Sequence, residues 1–144
     1  MSDSVAIPLP LEFVIEATPV SAQASSPTRE AWKATVSQAA RERLSDITDW
    51  YWLEKQPLSV TIFYFPDERM EGDIDNIVKP ILDGMKAVVY HDDDVVERVV
   101  VQRFEPDVTW SFQSLPEMLV VALDRVPPIV YIRIEGDLAW RQVP

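Results

Sequence analysis

Between Asp73 and Asp94 the chain carries an apolar pattern of helical period, closed at both ends by carboxylates. Ile74, Ile77, Val78, Ile81, Leu82, Met85, Val88 and Val89 recur at i, i+3, i+4 and i+7, which predicts a helix with one buried face. Pro80 lies inside the pattern and offers no N–H to the carbonyl four residues back. The first turn is therefore expected to be irregular, or the regular helix to begin after Asn76. A helix buried on one side needs a partner layer, and the flanking segments supply candidates for it.

Residues 9 to 18 alternate partly and read as a strand, followed by a small, polar loop from Pro19 to Pro27. Ser26-Pro27 suits a helix start, with Ser as N-cap and Pro at the first helical position. That helix is predicted over Thr28 to Leu44 or slightly beyond, with Trp32, Val36, Ala39, Ala40 and Leu44 on its apolar face. Arg29, Lys33, Ser37 and Arg41 form a second row at intervals of four. The aromatic knot Trp50-Tyr51-Trp52-Leu53 is expected to cap the core at the helix end rather than to bind a ligand. Pro57 to Phe65 is β-branched and aromatic, the clearest strand in the chain. Asp67 to Gly72 reads as a polar loop. Strands are also predicted at Val95 to Phe104, Glu117 to Leu123 and Ile129 to Ile134. The order β-α-β-α-β-β-β points to one α/β (α+β) domain, a mixed sheet with two main helices packed on it.

A length of 144 residues suits one domain with a sizeable core. The absence of Cys excludes disulfides and thiolate metal sites. His91 is the only histidine, which excludes a His-rich zinc site or a His-based triad. No apolar run reaches about 18 residues, and the N-terminus lacks the basic start and apolar stretch of a signal peptide. A soluble, cytoplasmic protein without membrane association is expected. The charge pulls the other way from nucleic acid: 24 acids against 13 bases leave a net −11, whereas DNA binders usually present a basic face.

The carboxylates nevertheless group tightly. Asp73 and Asp75 stand two apart at the entrance to the predicted helix, where their side chains can share a cation, and Asp75 can also serve as N-cap. Lys79 lies about one turn on and Asp83 one turn further. Asp92-Asp93-Asp94 precedes the next strand, and pairing of that strand beside 57–65 would bring the acidic run back toward Asp75. Such clusters favour a hard divalent ion held by one or two carboxylates plus phosphate oxygens. The plain alternative is a helix cap and a solvated Asp-rich turn. An EF-hand is excluded, because Val78 and Gly84 occupy the positions that need Gly and Glu.

Asp73-Ile74-Asp75-Asn76-Ile77-Val78-Lys79-Pro80-Ile81-Leu82-Asp83-Gly84-Met85, followed by Val88-Val89-Tyr90-His91-Asp92-Asp93-Asp94-Val95-Val96, resembles the RusA family of Holliday-junction resolvases. The likeness is detailed in this segment and extends as a layout over about 9–124, leaving 125–144 as a C-terminal extension of a single RusA-like domain spanning 1–144. It implies a homodimeric, Mg²⁺-dependent endonuclease, with Mn²⁺ as the alternative ion, that cuts four-way DNA junctions by paired nicks. On the matched positions, Asp73, Asp75 and Asp93 would bind metal and Lys79 would be catalytic. A slip of one residue would substitute Asp92 or Asp94 for Asp93.

Two departures stand out. Many family members carry Lys or Arg in the loop after the first strand, where this chain has Ala22-Gln23-Ala24. The overall charge is also acidic, so the candidate DNA-binding row is Arg29, Lys33 and Arg41, which reads equally as a solvated face flanked by Glu30 and Glu42. The segment after Pro128, with Tyr131 and Trp140, lies beyond the likeness and is a candidate dimer element or partner site. Two rival functions follow. One is a non-catalytic protein of the same fold docking a basic partner through its acidic surface or C-terminal segment; the other is a nuclease for another nucleic acid, such as flaps or RNA.

Overall fold

The computed structural model describes residues 6–136. Its sheet has four strands: β1 (Leu11–Ile15), β2 (Leu58–Phe65), β3 (Val96–Arg103) and β4 (Ile129–Glu135). Their spatial order is β1-β4-β2-β3. The last strand enters the middle, antiparallel to both β1 and β2, while β3 lies parallel to β2 at the edge. Three helices complete the α+β domain: α1 (Ser26–Ile47), α2 (Val78–Gly84) and α3 (Glu117–Leu123). No helix among the described residues is long and apolar enough to cross a membrane.

Alternation in β2 sorts the layers. Val60, Ile62 and Tyr64 point into the main core with Trp32, Val36, Ala40 and Leu44 of α1 and Ile81 and Leu82 of α2. Phe63 and Phe65 face the other side, with Leu119 and Ala122 of α3 and with Tyr131. Phe104, beyond β3, stacks on Phe65 and meets Phe63 edge-on.

Helix α1 starts two residues before the predicted Thr28, so Ser25 rather than Ser26 takes the N-cap position, and Pro27 falls in its first turn. The irregular turn before α2 is present as a 3-10 turn over Ile74–Ile77, with Asp73 and not Asp75 at its N-cap position and no capping bond from the side chain. The helix expected to run to Val89 stops at Gly84. Ala87 then takes a positive φ of 65°, which no right-handed helix continues through. Met85, Val88, Val89 and Tyr90 still reach the core, but from a tight turn closed by Ala87 N–H donating to Tyr90 O.

Three further expectations are corrected. Residues 117–123 form α3 rather than a strand: the buried positions are Leu119 and Ala122, three apart, which is a helical spacing. Pro116 precedes it and Glu117 stands in its positive first turn. The aromatic knot does not cap the core as a unit. Trp50 is 48% exposed and Trp52 60%, edge-on to each other at 4.7 Å. Tyr51 alone packs against the core, donating its hydroxyl to Val88 O at 2.7 Å. Tyr131 is no surface docking element either: it is a buried residue of a central strand, donating to the Glu12 carboxylate, which Arg133 also approaches at 3.3 Å. Trp140 lies outside the described residues.

Candidate active site

The parallel pairing of β3 beside β2 brings the acidic run back to the motif helix. A second 3-10 turn, Asp93–Val95, leads into β3. It sets Asp93 Oδ2 2.5 Å from Lys79 Nζ on α2. Lys79 also lies 3.0 Å from Asp83 Oδ1, one turn along its own helix. Lys86 continues the pattern, 3.2 Å from the same Asp83 oxygen and 3.4 Å from Asp92 Oδ1. Charges therefore alternate along a ladder: Asp93, Lys79, Asp83, Lys86, Asp92. Asp83 Oδ1 is buried and makes close ion pairs without an aligned hydrogen bond.

The ladder tunes its members. The hydrogen bond to Asp93, helped by Asp83, raises the Lys79 ammonium above its ordinary value against the opposing effect of burial. Lys79 is thus firmly cationic near neutral pH. Burial alone would raise the Asp83 carboxyl, but Lys79 and Lys86 outweigh it and hold the group below the usual carboxylate range. The Asp93 N–H, with Lys86, likewise lowers Asp92. Burial first, then the charges of Asp93, Asp83 and Asp92, push the Tyr90 hydroxyl upward, so it stays neutral and donates to Leu82 O at 2.6 Å.

A stability consequence has a definite sign. A carboxyl depressed in the folded state binds fewer protons there than in the unfolded chain. The stabilisation is complete above the unfolded value and fades as pH drops through the folded one. Thermal melts should therefore show stability falling below about pH 4. Asp83→Asn should flatten that limb; an unchanged acid limb would remove Asp83 as a contributor.

Asp73 and Asp75 stand apart from the ladder. Both are exposed, and among the described residues neither carboxylate makes a hydrogen bond or ion pair. Asp73 and Asn76 line a groove of about 260 Å³ together with Ser21, Tyr64 and Arg69. The loop after β1 forms the opposite wall, pinned by Ala22 N–H donating to Asn76 O at 2.7 Å. No group of three His, Cys, Asp or Glu side chains among the described residues converges into a ready cage for a metal ion. The donor chemistry still fits a hard divalent ion: two uncommitted, solvent-facing carboxylates, oxygen donors only, with room for waters and a phosphate. In this arrangement Lys79 neutralises Asp93.

The row on α1 is only partly free. Arg29 spends its guanidinium on the carbonyls of Ala22 and Ala24, bracing the loop at the site. Lys33 pairs with Glu30 at 3.1 Å. Ser37 donates to Gly84 O at 2.5 Å, so this part of the row faces α2 and not solvent. Arg41 remains exposed without an ion pair among the described residues. Sequence reading passed over Lys86, although its place three residues after Asp83 was a usable signal. It had no signal for the pinning of the Ala22 loop.

No curated protein matches the chain significantly. The model of the family described as endodeoxyribonuclease RusA matches residues 19–111, well over half of the sequence, from the loop after β1 through β3. The matched stretch contains both acidic runs, the lysine between them and the crossover that joins them, and the chain belongs to the RusA endodeoxyribonuclease family.

Proposed function

We propose that this protein is a divalent-metal-dependent endonuclease that resolves four-way DNA junctions by paired nicks, acting as a homodimer in DNA recombination and repair in the cytoplasm. The observation that carries this reading is the placement of Lys79 between Asp93 and Asp83, one turn from the uncommitted Asp75, within the family-matched stretch. Asp73 and Asp75 would hold Mg²⁺, or Mn²⁺, with Asp93 as the third oxygen donor and Asp92 its neighbour on the same turn. When bound, the ion supplies Lewis-acid chemistry at the phosphate. Lys79 supplies a fixed positive charge beside the phosphate as negative charge builds there. Its raised pKa suits that role and not that of a general base. Lys86 keeps Asp83 and Asp92 charged and oriented. A two-fold dimer would present two such sites to the two strands of a symmetric junction.

The test is cleavage of a labelled synthetic four-way junction with Mg²⁺ and with EDTA. Symmetric nicks on opposing strands that require the ion are expected. A folded dimer that cuts nothing over a range of salt and metal would overturn the reading.

One observation favours a second reading, a binding protein that uses this fold without catalysis. The net charge is −11, and the loop at the site carries Ala22-Gln23-Ala24 in place of cations. Salt separates the two: a resolvase should lose DNA affinity steeply as salt rises, while a protein that docks a basic partner should bind no junction at any salt.

A further inference from the structure

Next to the acidic site lies a second concavity that the proposed chemistry leaves unused. It holds about 670 Å³ and is lined by Tyr51, Trp52, Leu53, Glu54, Lys55 and His91, with Ala6 at its edge. The segment carrying the aromatics is fastened to the loop after α2. The Tyr51 hydroxyl donates to Val88 O and Glu54 N–H to Val89 O, each at 2.7 Å. Trp52 is left with most of its surface in solvent and with Trp50 buttressing its edge.

One turn of chain joins the two sites. Along the turn after Tyr90, His91 lines the cleft, Asp92 pairs with Lys86 and Asp93 with Lys79. The distance from cleft to ladder is thus the span of a few residues, roughly 3.3–3.6 Å each when extended.

The exposed indole at the cleft favours one kind of occupant. An exposed indole offers a flat apolar face, which stacks on any nucleobase. Lys55 and His91 stand on the rim without an ion pair or hydrogen bond among the described residues. Glu54 also lines the cleft, its carboxylate accepting from Gln56 N–H at 3.2 Å. Arg41, exposed on α1, lies close enough to oppose the upward push of burial on the Tyr51 hydroxyl. In a chain of net −11, the Lys55 ammonium and the His91 imidazole beside a bare indole mark a place for a planar base that carries a phosphate.

We propose that this cleft receives one unstacked nucleotide of the DNA at the branch point, its base on Trp52 and its phosphate near Lys55 and His91, and so positions the strand at the acidic site. The proposal rests on the DNA-cutting reading above. Trp52 is a binding and positioning residue, not a catalytic one. It also bears on how an acidic protein holds DNA: stacking adds affinity without adding positive charge.

The experiment is fluorescence anisotropy of a labelled four-way junction in EDTA, with the intact chain and with Trp52→Ala and Trp52→Phe. Base–aromatic stacking predicts a Kd about 10-fold higher for Trp52→Ala, with Trp52→Phe close to the parent. A second arm replaces each nucleotide flanking the crossover in turn by an abasic residue. At one position the parent should lose about 10-fold, and Trp52→Ala should lose nothing more, because the two partners of one stack are not additive. Circular dichroism confirms the fold. Equal affinity of the parent and Trp52→Ala would overturn the cleft proposal alone, as would a parent indifferent to every abasic position. No junction binding by the parent would overturn the DNA reading and the cleft with it.

Discussion

Asp75→Asn is expected to abolish Mg²⁺-supported junction cleavage, by at least about 10²–10³-fold, while leaving the melting temperature almost unchanged. The side chain is exposed, and among the described residues it makes no hydrogen bond or ion pair, so the fold loses nothing when the carboxylate becomes an amide. Surface changes of that kind stay within about 0.5 kcal/mol. The amide keeps the size and removes the charge a hard cation needs. Lys79→Ala is the instructive contrast. It should lower the rate by about 10²–10³-fold as well, but it also strips the shared cation from Asp93 and Asp83, whose side chains are only 19% and 21% exposed. Stability should fall with it. Single-turnover cleavage and thermal melts on both variants separate the roles. Full activity in Asp75→Asn would sink the metal assignment, and unchanged turnover in Lys79→Ala would remove that residue from the mechanism.

Gly84→Ala is expected to destabilise the protein by about 1–3 kcal/mol. A Cβ at this position would sit 2.7 Å from Val36 Cβ, 2.9 Å from Val36 Cγ1 and 3.1 Å from the Lys33 carbonyl oxygen. Val36 is fully buried and the carbonyl belongs to a long helix, so neither neighbour has an easy way to retreat. The gain in helix propensity, at most about 1 kcal/mol, does not offset this. The residue stands where α2 crosses α1, and its carbonyl accepts the Ser37 hydroxyl. Pushing the helices apart would also move the platform that carries Lys79 and Asp83. Denaturant unfolding measures the cost. Val36→Ala should not rescue it, because alanine keeps the Cβ that makes the closest clash; a Gly84→Ala protein as stable as the parent would mean that the helices separate freely here.

Much of the site was legible in the chain because its logic is local. Asp73, Asp75, Lys79 and Asp83 follow one another along a single turn and helix, and spacing alone sets which of them are neighbours. Pro80 announced the irregular turn for an equally local reason. Strands β1, β2 and β3 were readable from alternation and β-branched composition. Residues 117–123 were not, because a short apolar run fits strand and helix alike until a surface chooses. Here the aromatic side of the sheet buries Leu119 and Ala122 and decides for the helix. The aromatic knot failed in the same way: hydrophobicity predicted burial, but only Tyr51 finds a place in the core. By itself, then, the sequence determined the chemical types at the site and their order along one helix. The tertiary structure decided which distant partner each one meets. Asp93 lies fourteen residues from Lys79, and only the parallel pairing of β3 on β2 brings it to 2.5 Å. His91 likewise lines one cleft with Trp52, which is distant in sequence. Contacts of that kind depend on how the crossover packs, a property of the whole sheet that no local pattern encodes.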